Sequence, residues 1–442
     1  MKTNRNLIQA VITKKGTRWV QGGHPWIYEA EVMGYRNPSE DDLANESGNA
    51  LFAEPFGIEN GTVIDAVSEN GRYLGSGFYS EQSKIRVRLI SRNANDRFTP
   101  DFYRRRIRYA LSYRKTVMGQ EDYRCCRLIF GEADGFPGLT VDRFSDLLSV
   151  QILSVGIERI RDLLLPELVL ALQEEGEEIR GVFLRNDVKI RTLEGLPEEK
   201  GWYVLPDNAD SSYRELSCLL PDPSRSPLTE ITENGIRYTV DVENGQKTGF
   251  FLDQKYNRQA IRRISEGRRV LDCFTHTGSF ALNAAAAGAA SVTAVDISAA
   301  AVAMAERNAA ENGLSERIDF VCEDVFDLLA ELLMKKQKPY DFIILDPPAF
   351  TKSRKTVDHA KKGYREINLS AMRILPRGGY LATASCSHFM DHAKFEEVLR
   401  ECAGELGVQL RQIEVRGAAP DHPVLFGVPE TDYLKFYLFQ VV

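Results

Sequence analysis

The stretch RVLDCFTHTGSF (residues 269–280), followed shortly by SVTAVDIS (residues 291–298), decides the fold. Arg269–Cys273 reads as a short apolar strand. A turn with a single glycine follows, then an alanine-rich helix over residues 278–287, then a second strand at Ser291–Asp296. The rhythm repeats toward the end of the chain. Strands fit residues 317–322, 341–345 and 379–384, and helices fit residues 299–312, 326–335 and 361–375. Strands apolar along their whole length, alternating with helices, predict a mostly parallel sheet covered on both faces, an α/β fold over residues 229–442.

Upstream the rhythm differs. Residues 7–12, GGHPWIY (22–28), TVIDAV (62–67) and RYLGSGFYS (72–80) are short strand-like runs punctuated by turns such as Glu69-Asn70-Gly71, which predicts a small β-barrel over residues 1–80. Residues 81–228 mix the alternating run IRVRLI (85–90), a basic helix at 101–117, further strands and an amphipathic helix at 157–172, an α+β module. Residues 207–227, rich in Pro, Ser and Asp, read as a linker or surface loop.

The 442 residues are enough for about three domains. Composition is that of an ordinary globular protein, 43% hydrophobic and 27% charged. No run approaches the roughly 18 apolar residues of a membrane span, and residues 433–442 are interrupted by Lys435 and Gln440. The seven cysteines show no paired C-x-x-C spacing, against a disulfide framework or a zinc ribbon, so no metal is expected. The expectation is a soluble protein of a reducing, cytoplasmic compartment. Net charge is −7, yet residues 84–127 hold thirteen basic residues against four acids. On charge alone that segment is either a polyanion-binding stripe or a solvated helix face.

In an open α/β sheet the ligand binds at the carboxyl ends of the strands. Asp296, ending the second strand, is placed for ribose hydroxyls. The first turn offers only Gly278 where a dinucleotide fold shows G-x-G-x-x-G, so a pyrophosphate is disfavoured and a nucleoside without phosphates, such as S-adenosylmethionine, fits better. Asp272 can then hold the ammonium end of the methionine, and Asp324 the adenine amine, although a lone strand-end Asp is often a helix cap.

The fourth strand ends in FIILDPPAF (342–350) and the fifth in YLATASCSH (380–388). Asp346-Pro347-Pro348 presents a carboxyl group and carbonyl acceptors able to grip the Watson–Crick edge of a base. Carbon 5 of a pyrimidine is too weak a nucleophile to accept a methyl group unaided, and addition of the Cys386 thiolate at carbon 6 would activate it. Asp346 would stabilise the charge that develops. Cys273, Cys322 and Cys402 lack such a setting and read as packing residues.

With GHPWIYEAEV (23–32), LGSGFYS (74–80), GEADGFPGLTVDRF (131–144), ENGQKTGFFLDQKYNR (243–258) and DHPVLFGVPETDYLK (421–435) added, essentially the whole chain resembles the RlmI-type bacterial 23S rRNA cytosine-C5 methyltransferases. The resemblance implies a PUA-like RNA-binding domain at 1–80, a central α+β domain at 81–228 and a Rossmann-like class I methyltransferase domain at 229–442. It implies S-adenosylmethionine bound near Asp272, Phe274, Thr277, Gly278, Phe280, Asp296 and Asp324, with Gln254 closing over it. It further implies Cys386 as nucleophile, and RNA, 23S rRNA or a large-subunit assembly intermediate, as partner. Asp346, Pro347, Pro348, Phe350 and Lys352 would meet the substrate, Phe350 stacking on an extruded cytosine. Lys352, Arg354, Lys355, Lys361, Lys362 and Arg365 would hold flanking phosphates. Departures exist: the cofactor turn reads His276-Thr277-Gly278-Ser279-Phe280 where the family usually has Tyr-Thr-Gly-Gly-Phe. Ala349-Phe350 stands where the two-cysteine branch has its second Cys, which leaves His388 as the candidate base. Methylation of another base atom without a covalent adduct, or a non-catalytic rRNA-binding assembly role, are the alternative readings.

Overall fold

The computed structural model describes residues 7–37, 57–351 and 353–442. The chain divides into two compact units, one of Met1–Thr229, Val240–Phe250 and Pro423–Pro429, the other of Glu230–Thr239, Phe251–His422 and Glu430–Val442.

The first unit holds two sheets. The N-terminal one runs, edge to edge, Trp26–Tyr28, Ile85–Ser91, Tyr73–Tyr79, Val63–Ser68, Gln9–Ile12 and Val32–Arg36. Its apolar positions, among them Ile12, Ile27, Ile64, Ala66 and Val87, make one buried cluster. Ile85–Ser91 pairs with both Tyr73–Tyr79 and Trp26–Tyr28, so this sheet continues past residue 80 and claims the run assigned from sequence to the central module. Alternation announces a strand but does not name its partner. The helix Lys14–Gln21 went unread: it is short, and Thr13 caps it by accepting a hydrogen bond from the Gly16 amide.

The central sheet runs Glu199–Trp202, Gly181–Asn186, Leu147–Ile152, Leu139–Phe144 and Cys125–Phe130. The basic stripe is largely engaged within the protein. Arg104 pairs with Glu167, Arg105 with Asp96, Arg108 with Glu174, Arg114 with Asp134, Lys115 with Glu175, Arg124 with Glu177 and Arg127 with Asp142. Arg88 reaches both Glu132 and Glu194. Acids distant in sequence thus neutralise it. Residues 207–227 are not a bare linker: Tyr213, Leu216, Cys218 and Leu219 are buried, and the Tyr213 hydroxyl donates to Glu167 at 2.7 Å.

In the second unit a seven-stranded sheet runs Ile318–Cys322, Ser291–Asp296, Arg269–Cys273, Phe342–Leu345, Tyr380–Ser385, Lys435–Val441 and Leu410–Arg416. The first five are parallel and Lys435–Val441 is antiparallel to both neighbours. Strand order reverses between Arg269–Cys273 and Phe342–Leu345, the point at which α/β sheets open a crevice for a ligand. The sequence anticipates the parallel strands to within a residue; the last two strands and the helix His392–Leu406 were not read. No helix among the described residues is long and apolar enough to cross a membrane.

Candidate active site

The turn after Arg269–Cys273 is built around Asp272. Its side chain is fully buried, and Oδ2 accepts from the Thr275 hydroxyl at 2.5 Å and from the Ala281 amide at 2.9 Å. Oδ1 has no partner among the described residues. Burial pushes this carboxyl up to about 7, against the bond from Thr275, and the Asp346 carboxylate, followed by that of Asp296, adds to the rise. A buried carboxylate oxygen without a donor suits a cationic ligand group.

The backbone of the turn is strained. Phe274 (φ 63°) and His276 (φ 50°) are left-handed without being glycine, and Gly278 follows at φ 81°. Asp296 pins this shape, Oδ2 accepting from the His276 amide and Oδ1 from the Ser298 amide, both at 2.9 Å. A Cβ on Gly278 would lie 2.6 Å from Leu282 Cδ1 and 2.9 Å from Ala305 Cβ, so glycine is required there on two counts. The neighbouring Thr277 keeps a buried hydroxyl without a partner among the described residues. Phe280, by contrast, is 3% exposed and stacked on Phe436, a core residue.

Asp324 caps the helix Val325–Met334, Oδ1 accepting from the Phe326 amide at 2.7 Å. Ile297, directly after Asp296, is 70% exposed and offers an apolar face at the strand end. Sequence reasoning passed over it; an apolar residue between a strand-end acid and the Ser298 helix cap was the available signal.

At the end of Phe342–Leu345, Asp346 accepts at Oδ1 from the Gln254 side-chain amide at 2.8 Å, and Asn257 donates to Gln254 Oε1 at 2.6 Å. Gln254 is therefore buried and held against Asp346. Pro347 is buried and Pro348 exposed. Cys386, just past Tyr380–Ser385, is half-buried, and its thiol points at the Pro347 carbonyl with Sγ 3.9 Å away. The Asp-Pro-Pro loop and the thiol are thus neighbours. Buried Tyr364 ties the two loops together: its hydroxyl bonds Ser385 Oγ at 3.0 Å and Ser387 Oγ at 2.9 Å, and its ring lies 4.7 Å from that of Phe350.

Phe350 also packs on Phe326, and a Cβ on Gly363 would meet its ring at 3.1 Å, so the ring is half-buried against the helix Val357–Ile374. Lys352 lies outside the described residues. Of the basic run, Lys361 pairs with Glu397 and Arg365 with Glu405, while Lys355 and Lys362 are exposed. His388 Nδ1 is buried and has no partner among the described residues. Cys273 and Cys402 are buried as expected, but Cys322 is exposed at the end of the outermost strand rather than packed.

Residues 10–92 match the PUA-like domain family, and residues 210–430 match the S-adenosylmethionine-dependent methyltransferase family. "Ribosomal RNA large subunit methyltransferase I" of Shewanella denitrificans is 36% identical over 96% of this chain and 97% of its own length. The protein of the same name from Serratia proteamaculans is 36% identical over 95% and 96%. The chain belongs to this large-subunit methyltransferase I family. A solved structure from Streptococcus mutans, described as a SAM-dependent methyltransferase, shares the fold with a TM-score of 0.75 at 20% identity, covering 98% of this chain and 100% of that one. A methyltransferase solved in complex with SAH gives the same values. As a family member the chain is an S-adenosylmethionine-dependent methyltransferase, and its turn fits that cofactor. Among the described residues Asp272 Oδ1 lacks a donor and Thr277 Oγ1 a partner, and Ile297 stands open beside Asp296.

Proposed function

We propose that the protein methylates carbon 5 of a cytosine in 23S rRNA through a covalent adduct with Cys386. What carries this reading is the half-buried thiol set beside the Asp346-Pro347-Pro348 loop. The names of the relatives support ribosomal RNA as substrate, and the PUA-like domain and central module would grip it.

In this mechanism Asp272 would hold the cofactor's ammonium group, Asp296 its ribose and Asp324, through the oxygen not used as a cap, its adenine amine, and Ile297 would offer the apolar surface. The bound cofactor supplies an electrophilic methyl group on a sulfonium. Asp346, kept in place by Gln254, shares a proton with the ring nitrogen of the extruded cytosine. The Cys386 thiolate adds to carbon 6, and the displaced electron pair makes carbon 5 nucleophilic. Carbon 5 would take the methyl group as the S–CH3 bond breaks and its electron pair returns to sulfur as a neutral thioether, and the carbon 5 proton would then pass to a base. The electrons of that C–H bond restore the ring double bond as the sulfur leaves. His388, two residues from the nucleophile, is assigned as that base.

The test compares wild type with Cys386→Ala, using labelled S-adenosylmethionine and 23S rRNA lacking its modifications. 5-Methylcytosine formed by the wild type and lost in the variant is the expected result. Methylation that survives the substitution would replace this reading with a non-covalent transfer to another base atom. No methylation by the wild type would favour the assembly role.

A further inference from the structure

The strand Lys435–Val441 brings a buried cation to the nucleophile's loop. Pairing with Tyr380–Ser385 sets Lys435 opposite Ser385, the residue before Cys386. Its side chain is fully buried, and its ammonium donates to the Ser387 carbonyl at 2.7 Å and the Tyr433 carbonyl at 2.8 Å. It therefore grips the residue on the far side of Cys386. No carboxylate lies within 4.0 Å of it among the described residues. Neutral carbonyls solvate a buried ammonium only in part, and such a charge is costly without an anion. Burial pulls its proton affinity down to about 8. Of the charges that face it, Cys386 acts most strongly to retain the proton, then Asp432 and Asp391, with Lys394 opposing.

We propose that Lys435 is the positioning residue of Cys386: its buried ammonium is the counter-charge that keeps Sγ a thiolate, and its bond to the Ser387 carbonyl aims the sulfur. This rests on the reading of Cys386 as nucleophile. It gives a reason for a buried lysine to open the strand KFYLFQV, opposite the residue that precedes the thiol. The sulfur needs a nearby cation because a thiol is mostly protonated at neutral pH, whereas the thiolate is the attacking form.

The test is the pH profile of iodoacetamide alkylation, followed by peptide mass, in wild type, Lys435→Met and Lys435→Arg. Cys322, exposed on the outermost strand, serves as an internal reference whose profile should not move. The Met variant keeps the volume and removes the charge. Its Cys386 profile should shift to higher pH, with alkylation at pH 7 slower by about tenfold or more. The Arg variant should stay near wild type. A Met variant with the wild-type Cys386 profile overturns the proposal, and so does a shift that arginine fails to reverse or one shared by Cys322. Methyl transfer by Cys386→Ala is measured separately. Its survival would remove the nucleophile reading while leaving the alkylation result on Lys435 standing.

Discussion

Asp272 keeps a buried carboxylate oxygen without a donor among the described residues, and burial raises its carboxyl to about 7. Because folding raises its pKa, the protonated form stabilises the ligand-free fold, and that contribution is lost as pH rises through about 7. An ammonium ligand needs the ionised form, so proton loss and cofactor binding are linked. S-adenosylmethionine affinity should therefore weaken as pH falls below about 7, approaching tenfold per unit, and Asp272→Asn should bind at least about tenfold more weakly with a flattened profile. Calorimetric titration between roughly pH 5.5 and 8.5 checks this, and an unchanged profile in Asp272→Asn would assign the ammonium to another group. Asp272, Asp296 and Asp346 could be placed from sequence because each lies at or directly after the end of a parallel strand, as the fold shows. Tyr364 and Asn257 could not. Their meaning lies in bonds to Ser385 and Gln254, which folding alone brings within reach. The stacking of Phe280 on Phe436 was equally out of reach of the motif, which says nothing of the side on which a helix residue faces.

Among the elements, the turn from Phe274 to Gly278 shows how strain is held. Two non-glycine residues are left-handed, and Asp296 binds the amide of one of them. Gly278→Ala adds a methyl group where neither Leu282 nor Ala305 leaves room. It should cost about 2–3 kcal/mol of stability and weaken cofactor binding, read by thermal unfolding with and without cofactor. The helix Lys255–Ser265, which follows Gln254, is anchored by Arg258, whose guanidinium makes two bonds to buried Glu233. Arg258→Met leaves that carboxylate buried and unpaired, and should destabilise its unit by about 3–5 kcal/mol. A second change, Glu233→Leu, should return much of the loss in urea denaturation; a strictly additive double variant would deny the coupling. The five parallel strands were readable from sequence because strands covered on both faces are largely apolar, FIIL wholly so. LRQIEVR has only one partner strand and a mixed face, and carries no such signature.

Over the whole molecule, charge is the property that sequence described least well. Counting located a basic segment at residues 84–127 in a chain of net charge −7. Folding sets acids against it, with Arg108, Lys115 and Arg124 on Glu174, Glu175 and Glu177. Lys14, Lys15 and Arg18, in or beside an exposed helix face with Trp19, have no such acids among the described residues. For the proposed RNA substrate, Lys15→Ala with Arg18→Ala should lower affinity and reduce the slope of log affinity against log salt by about 1–2. Arg105→Met with Arg108→Met should leave the slope unchanged. Binding isotherms at several salt concentrations decide, and the opposite ranking would return the basic helix to the RNA-binding role.

The order in which the second unit's sheet is completed also has a consequence for biosynthesis. Lys435–Val441 fills the place between Tyr380–Ser385 and Leu410–Arg416, although it leaves the ribosome after both. At about 5–20 residues per second, the edge beside Tyr380–Ser385 waits some seconds for its partner. During that interval a growing chain presents an unpaired apolar strand next to a cysteine. A nascent polypeptide stalled before residue 435 is therefore the species in which aggregation and thiol oxidation should concentrate, and the one a chaperone would have most reason to hold.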